Sequence, residues 1–265
     1  MNLTEGFLKN SLFTGFGADI NYGRSEMEGE QGIMSHYAVA VFHRKDQTVD
    51  ELLAPYSENL KVDPYVSMSR QEAIEYARKH IKGYEGKTDE ECWQFMADDA
   101  GEGMTDADGN ILSTYNPRSK WDWWYEGGRW GGMLNSQGST VDSGRFGDLS
   151  FPPDEEAYEE ALRFWDVAID HKPAADGEEY SPFYKEEYYR EYYGDRETYA
   201  RQQAEFSTYA VVTPDGEWHA PGEMGWFGCS SESAEDFRDW YGHYKERFLD
   251  TADPDWILTI VDCHI

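Results

Sequence analysis

The densest group of residues able to bind or react lies between Asn116 and Gly132, where the sequence reads NPRSKWDWWYEGGRWGG. Four tryptophans, one tyrosine and four glycines fall within the twelve residues that begin at Trp121. Exposed tryptophan, tyrosine and arginine side chains are the usual anchors of a binding surface. If they are buried, the same residues form an aromatic corner of the core. The candidate binding residues of this Trp/Gly/Arg motif are Trp121, Asp122, Trp123, Trp124, Gly127, Gly128, Arg129 and Trp130.

The order of residues in the Trp/Gly/Arg motif also predicts local structure. Trp121 and Trp123 alternate about Asp122, as in a strand, and Gly127–Gly128 then predicts a bulge or tight turn. The guanidinium of Arg129 is able to stack on a tryptophan and to form a forked ion pair with a nearby carboxylate. A base-stacking platform uses the same residue types. A single nucleotide, free or metal-bound, fits this interpretation better than a phosphate chain.

A second group of glycines and aromatic residues occupies Gly222–Cys229 and includes Trp226. Glycines allow the backbone to approach a ligand or another segment closely. Trp226 is therefore a further candidate binding residue. The alternative is a glycine-rich loop that closes over the core.

The C-terminal sequence Val261–Ile265 contains an aspartate, a cysteine and a histidine, residue types found in nucleophilic catalysis. Neighbours in a strand point to opposite faces, so Cys263 cannot readily pair with His264. A Cys–His pair would need a distant partner such as His36 or His43. We therefore include His36, Asp262 and Cys263 among the candidate site residues.

No metal or cofactor is expected from the sequence. The three cysteines and seven histidines lack the paired spacing of a zinc site. Asp106–Asn110 is rich in carboxylates, but a calcium loop needs glycine at its sixth position and glutamate at its twelfth. Asp108–Gly109 instead predicts a hairpin turn. Neither a disulfide framework nor a signal peptide is indicated, and a reducing cytosol is the expected compartment.

Five helices are predicted from capping residues and from apolar residues at helical spacing. Ser69 and Thr88 are each followed by glutamate three residues later and begin the first two helices. The others are predicted over 154–171, from Pro182 to about Glu205, and after Ser231 or Ser233.

Strands are predicted near both ends of the chain. Runs of β-branched and aromatic residues predict strands over Ser35–His43 and Trp256–Val261, the second buried on both faces. Further strands are predicted over Ile111–Tyr115, Thr208–Thr213 and Glu217–His219. This pattern predicts an α+β fold with a mixed or antiparallel sheet, N- and C-terminal strands, and helices packed mainly on one face.

The chain is both acidic and aromatic. It has 53 acidic and 23 basic residues, a net charge of −30, and 16% aromatic residues. Disordered acidic chains are poor in aromatic residues, so the composition indicates a folded protein. The charge argues against direct binding of nucleic acid or of an anionic membrane. Residues 141–265 carry a net charge of −20, which concentrates the acidity in that half.

The first residues are expected to lie outside the folded domain. Residues 1–33 show neither helical nor strand periodicity, and Met34 directly precedes a predicted strand. Glu28–Glu30 has codons that can resemble a ribosome-binding site, so one interpretation is that translation starts at Met34. The other is a flexible N-terminal arm. Residues 34–265 are predicted to form a single α+β domain with a variable acidic helical insertion around 136–205.

Four short motifs occur in an order that resembles a family of uncharacterised phage and prophage proteins. They are KWDW and GGRW within Lys120–Trp130, GEMGW at Gly222–Trp226, and VDCHI at Val261–Ile265. Met34–Tyr37 and Leu53–Tyr56 are similar to the start of that family, whereas 136–205 is not covered. Trp124 stands where tyrosine is expected. The resemblance implies a phage origin and favours Met34 as the start, but it implies no particular activity.

Functions of different classes stay open. The first is a phage accessory protein that acts in the host cytoplasm by binding a host or phage protein. An anti-defence protein that imitates DNA and occupies a DNA-binding protein is one form of it. The alternative is a small-ligand or nucleotide-binding protein or enzyme that uses the Trp/Gly/Arg motif. A structural component of the virion is a third, and the first, non-enzymatic class is favoured.

Overall fold

The computed structural model describes residues 36–175, 179–225 and 229–265, and these form the predicted α+β fold. The expected extension over 1–33 lies outside the described residues. The described chain divides into two compact units, one comprising the residues up to Pro55 together with Lys120–Ile265, the other Tyr56–Ser119. Tyr56–Ser119 has a small core of its own, and the single domain expected over 34–265 is still a prediction.

The helices and strands are numbered in chain order. The helices are α1 (Val49–Leu53), α2 (Arg70–His80), α3 (Asp89–Ala100), α4 (Glu155–Phe164), α5 (Glu186–Tyr192), α6 (Arg196–Ala204) and α7 (Ala234–Tyr244). The strands are β1 (His36–His43), β2 (Tyr65–Met68), β3 (Ile111–Ser113), β4 (Trp123–Glu126), β5 (Leu134–Ser136), β6 (Ser139–Val141), β7 (Ser143–Arg145), β8 (Leu149–Ser150), β9 (Ala210–Val212), β10 (Trp218–His219) and β11 (Ile257–His264). No helix in the described ranges has the length and apolar character needed to cross a membrane.

The main sheet belongs to the larger unit and is mixed. Its strand order is β10-β9-β1-β11-β4, and β7 also pairs with β11. β1 is antiparallel to β11 and parallel to β9. The strands predicted nearest the two ends of the chain are thus central neighbours. β11 continues three residues beyond the predicted end at Val261, which places Asp262, Cys263 and His264 within the ladder.

The two faces of the main sheet are covered differently. Helices α4 to α7 cover one face and enclose the main core, as predicted for helices mainly on one face. Strand residues in this core are Ala40, Phe42, Val211, Leu258 and Ile260. The other face carries a smaller cluster with α1, to which the strands contribute Tyr37, Val39, Val41, Ala210, Val212, Val261 and Cys263. Alternation along each strand assigns neighbouring residues to opposite faces.

The region expected to be an acidic insertion, 136–205, contributes to the main core through Trp165, Tyr189 and Tyr199. The tyrosine-rich segment predicted as one helix is two helices, α5 and α6. Gly194 lies between them with φ +80°, and Asp195 caps α6 by accepting the N–H of Thr198. The prediction of a continuous helix was wrong because a left-handed glycine ends a helix more strongly than its tyrosines extend it.

Two other helices end in π-helical turns. The helix predicted over 154–171 consists of α4 followed by a π-helical segment at Trp165–Ile169. The helix that begins at the Ser233 cap is α7, followed by a second π-helical segment at Lys245–Leu249. Both segments remain against the main core, because Trp165, Ile169 and Leu249 are buried in it.

The smaller unit, Tyr56–Ser119, contains α2, α3 and the antiparallel pair β2–β3. Ser69 and Thr88 form the predicted capping boxes at the starts of its helices. The turn at Asp106–Asn110 is held by Asp106, whose carboxylate accepts backbone N–H groups from Asp108 and Asn110. These hydrogen bonds hold the turn that Asp108–Gly109 predicts.

Candidate functional site

Two histidines meet at one end of the main sheet. His36 begins β1 and His264 ends β11, and the two residues are directly paired across the antiparallel ladder. Paired residues project from the same face, and the two ring centroids are 5.0 Å apart with an interplanar angle of 70°. Both residues are buried, with exposures of 6% and 7%. The face that carries the main core therefore ends in two adjacent imidazoles.

Each imidazole is held by its own carboxylate. Nδ1–H of His36 donates to Oδ1 of Asp262 at 2.7 Å, and Nδ1–H of His264 donates to Oδ1 of Asp122 at 2.6 Å. Asp262 lies two residues before His264 and so shares its face. Asp122 directly precedes β4, and its backbone N–H donates to the carbonyl oxygen of His264 at 2.9 Å. We call these four residues the histidine–aspartate cluster.

The two carboxylates determine which ring nitrogen is left to react. A hydrogen bond from Nδ1 to a carboxylate fixes the ring and places the hydrogen of a neutral imidazole on Nδ1. Nε2 then carries the lone pair. Nε2 of His264 is buried and has no hydrogen-bond partner among the described residues. A buried polar atom without a partner costs about 1–3 kcal/mol, and such atoms call for a specific explanation.

Trp123 is the tryptophan of the motif that joins the histidine–aspartate cluster. Its ring stacks on His264 with centroids 4.7 Å apart and an interplanar angle of 9°. It also meets His36 edge-on at 5.0 Å. Trp121 and Trp124 pack against the smaller cluster on the other face, and Trp130 packs against the main core. The motif therefore supplies core packing through three tryptophans and a wall of the site through the fourth.

Gly128 brings the backbone of the motif onto Asp262. Its φ is +53°, and a Cβ there would lie 2.5 Å from Oδ2 of Asp262. The next backbone N–H, that of Arg129, donates to the same Oδ2 at 3.1 Å. Asp262 thus accepts one hydrogen bond on each oxygen, from His36 and from Arg129. Glycine is needed at position 128 because both the backbone angle and the space exclude a side chain.

Gly127 has the corresponding relation to a second carboxylate, Asp142. Its φ is +66°, and a Cβ there would lie 2.5 Å from Oδ2 of Asp142. The backbone N–H of Gly132 donates to Oδ1 of Asp142, and the carbonyl oxygen of Asp142 accepts the N–H of Ile260 at 2.9 Å. The predicted tight turn is therefore a loop wrapped around two carboxylates. Its function in the fold is to hold Asp262 beside His36.

Cys263 lies on the other face of β11, away from both histidines. It is completely buried in the smaller cluster, and its partner on β4 is Trp124. Burial, with a smaller contribution from the carboxylates of Asp262 and Asp122, raises the pKa of its thiol well above the ordinary value. A buried thiol of raised pKa is a poor nucleophile. The geometry therefore separates Cys263 from the histidine–aspartate cluster.

The remaining candidates are placed as follows. Arg129 has an exposed side chain and joins the cluster through its backbone N–H. Trp226 lies outside the described residues. The segment before it approaches the start of the motif, where Nζ of Lys120 forms an ion pair with Glu223. Tyr37 lies in the smaller cluster, and its hydroxyl donates to the carbonyl oxygen of Lys120.

Sequence reasoning missed the pairing of His264 with Asp122. Strand alternation correctly places Cys263 and His264 on opposite faces but does not by itself show the role of His264. The useful signal is the spacing Asp262-x-His264, which puts both polar side chains on one face of a predicted strand. An apolar strand that ends in two polar residues on its core face indicates a polar partner from an adjacent strand.

The arrangement of the cluster allows proton transfer. Among residues 36–175, 179–225 and 229–265, no group of three or more His, Cys, Asp or Glu side chains is arranged to hold a metal ion. An imidazole whose Nδ1–H is held by a carboxylate accepts a proton on Nε2, and the carboxylate stabilises the imidazolium formed. Two such imidazoles side by side can accept one proton and donate another to a single bound molecule.

Comparisons of the chain with models of known protein families, with curated proteins and with solved structures found no match. The resemblance to phage and prophage proteins is therefore still a prediction. Functional inference depends on the geometry of the histidine–aspartate cluster itself.

Proposed function

We propose that this protein is a small-ligand-binding enzyme in which His36 and His264 perform general acid–base catalysis. The observation that carries the proposal is the buried, unpartnered Nε2 of His264. Its ring is fixed from one side by Asp122 and from another by Trp123, so the lone pair has a defined direction. A bound molecule with a hydrogen-bond donor would satisfy this atom.

The two histidines have complementary roles in the proposed catalysis. One neutral imidazole accepts a proton from the bound molecule, and the other, as an imidazolium, donates one. Asp262 and Asp122 keep the rings oriented and stabilise whichever ring is charged. The loop at Gly127–Arg129 supports this arrangement by fixing Asp262 through a backbone hydrogen bond. General acid–base catalysis of this kind contributes typically about 10²–10⁴-fold to a rate.

The proposal is tested with His36→Asn and His264→Asn. The asparagine amide retains a donor near the position of Nδ1, so the bond to the aspartate can persist while Nε2 is removed. His43→Asn is the matched control, because His43 is a buried histidine of β1 on the other face. The wild-type protein and the three variants are incubated with panels of nucleosides, sugars, amino acids and organic acids, and products are measured by mass spectrometry.

We expect at least one panel compound to be converted by the wild-type protein and by His43→Asn. Conversion should fall by about 10²-fold or more in either of the other variants. Binding is followed in parallel through the Nε2 resonance of His264 in protein labelled with ¹⁵N-histidine. If no compound moves this resonance, or if both cluster variants convert compounds like the wild-type protein, the proposal is wrong.

A second candidate function is binding to a basic protein, as expected for a phage accessory protein in a host cytoplasm. The observation that favours it is the exposed acidic start of α4, where Asp154, Glu155, Glu156 and Glu159 are all exposed. Complementary charge strengthens and steers such an association. A pull-down from host lysate with a salt titration tests it. Capture of a basic protein that weakens with salt supports this function, whereas capture unaffected by salt contradicts it.

A further inference from the structure

The histidine–aspartate cluster continues into an exposed aromatic surface on the edge strand. Tyr125 is 66% exposed. Its partner on β11 is Asp262, so its ring lies on the same face as the cluster. The ring centroids of Tyr125 and Trp123 are 5.3 Å apart. His264, Trp123 and Tyr125 thus form a row of aromatic rings that begins at the buried Nε2 and ends in solvent.

The row combines two demands on a ligand. Exposed tyrosine and tryptophan rings bind flat rings by stacking, and every nucleobase has a face that can stack on them. The unpartnered Nε2 of His264 requires a hydrogen-bond donor at the buried end of the row. A heteroaromatic ring with polar N–H or amino groups at its edge meets both demands, whereas a purely apolar ring leaves Nε2 unpaired.

The segments that carry the row contain more acidic than basic side chains, which disfavours a strongly anionic ligand. Residues 121–142 and 257–265 contain four carboxylates, those of Asp122, Glu126, Asp142 and Asp262, against one guanidinium, that of Arg129. A phosphate group placed here meets like charges, and like charges at short range raise the free energy of binding. The charge balance therefore favours a neutral or cationic ligand.

We infer that the site binds the base of a neutral nucleoside, stacked on the exposed ring of Tyr125 with its polar edge toward His264. The inference rests on the proposed function, because it names the ligand class of the same cluster. It also assigns a task to Tyr125, which contacts the ligand without taking part in proton transfer.

The test measures binding of adenosine, guanosine, cytidine and uridine, and of their 5′-monophosphates, by calorimetry and by the ¹⁵N resonance of His264. We expect at least one nucleoside to bind and to move this resonance. Its monophosphate should bind more weakly. Tyr125→Ala should weaken nucleoside binding by about 5- to 150-fold, the usual effect of removing one stacking ring. Tyr125→Phe keeps the ring and should retain the affinity.

Tyr76→Ala is the matched control, since Tyr76 is a 44% exposed tyrosine in the smaller unit. It should bind like the wild-type protein. Equal binding by Tyr125→Ala, or monophosphates that bind as tightly as nucleosides, would overturn the inference. If nucleosides leave His264 unaffected while another compound class moves its resonance, the ligand class is wrong and the proposed function stands. If no class moves it, both are wrong.

Discussion

Replacing Gly128 by alanine should disrupt the cluster without touching any of its side chains directly. The backbone at Gly128 has φ +53°, and an alanine Cβ would lie 2.5 Å from Oδ2 of Asp262. A left-handed backbone costs a non-glycine residue about 1–2 kcal/mol. The overlap also forces Asp262 away from the N–H of Arg129 and from His36, and a hydrogen bond to a charged group contributes about 1.5–3 kcal/mol.

Together the backbone cost and the loss of two such hydrogen bonds predict that Gly128→Ala lowers the free energy of unfolding by about 4–8 kcal/mol. Gly138→Ala provides the control for backbone strain. Gly138 has φ +85°, and an added Cβ there meets nothing within 4 Å. The free energy of unfolding of this variant should be lower than that of the wild-type protein by about 1–2 kcal/mol. The difference between the two variants isolates the displacement of Asp262.

Urea unfolding followed by tryptophan fluorescence gives the two free energies, and the ¹H–¹⁵N spectrum of labelled histidines reports the cluster. In Gly128→Ala the Nδ1–H signal of His36 should lose its hydrogen-bonded position, while in Gly138→Ala it should not change. Equal destabilisation of the two variants, together with an unchanged His36 signal, would refute the role of Gly128 in positioning Asp262.

Three further predictions concern burial and charge. A thiol reagent should modify exposed Cys229 in the native protein but reach buried Cys263 after denaturation; modification of both at equal rates contradicts the placement of Cys263. Trp165 is 2% exposed in the main core, so Trp165→Ala should lower the free energy of unfolding by about 3–5 kcal/mol. A smaller loss measured by urea unfolding would contradict tight packing around this side chain. Burial raises the pKa of Glu232, so the folded state binds the proton of this carboxyl more tightly than the unfolded state does. The free energy of unfolding therefore falls as the pH rises from the pKa of the unfolded state through that of the folded state. Glu232→Gln should therefore increase the stability more at about pH 8 than at about pH 4, and equal increments would count against the raised pKa.

Local signals predicted the longer elements, whereas helix α1 and the short strands β2 and β5 to β8 were not predicted. The capping boxes at Ser69 and Thr88 and the apolar strands at both ends depend on nearby residues, and the structure contains them. The tyrosine-rich segment divides into two helices at Gly194, which has a left-handed backbone. Sequence reasoning did not identify this glycine as a helix end. The division of the described chain into two units depends on which segments pack together, a property of the whole chain rather than of a local pattern.

The contacts of the candidate site could be predicted only in part, because they also join segments that lie far apart in the sequence. The sequence singled out the Trp/Gly/Arg motif, His36 and Asp262, and the structure brings Trp123, Gly128 and the backbone of Arg129 from that motif beside them. The pairing of Asp122 with His264 depends on the register between β4 and β11, which joins residues 142 positions apart. Register of this kind is set by the fold and is not visible in either strand alone. Cys263 was grouped with these residues by proximity in sequence, but strand alternation directs it to the other face.

The proposed function depends on each histidine of the cluster donating from Nδ1 to its own aspartate and leaving Nε2 to a ligand. The long-range ¹H–¹⁵N spectrum of protein labelled with ¹⁵N-histidine measures this, recorded for the wild-type protein, Asp262→Asn and Asp122→Asn. We expect neutral His36 and His264 both to carry hydrogen on Nδ1. Asp262→Asn should alter the His36 signals, and Asp122→Asn the His264 signals. Hydrogen on Nε2 of either wild-type ring in its neutral form, or histidine signals that neither aspartate variant alters, would contradict this arrangement.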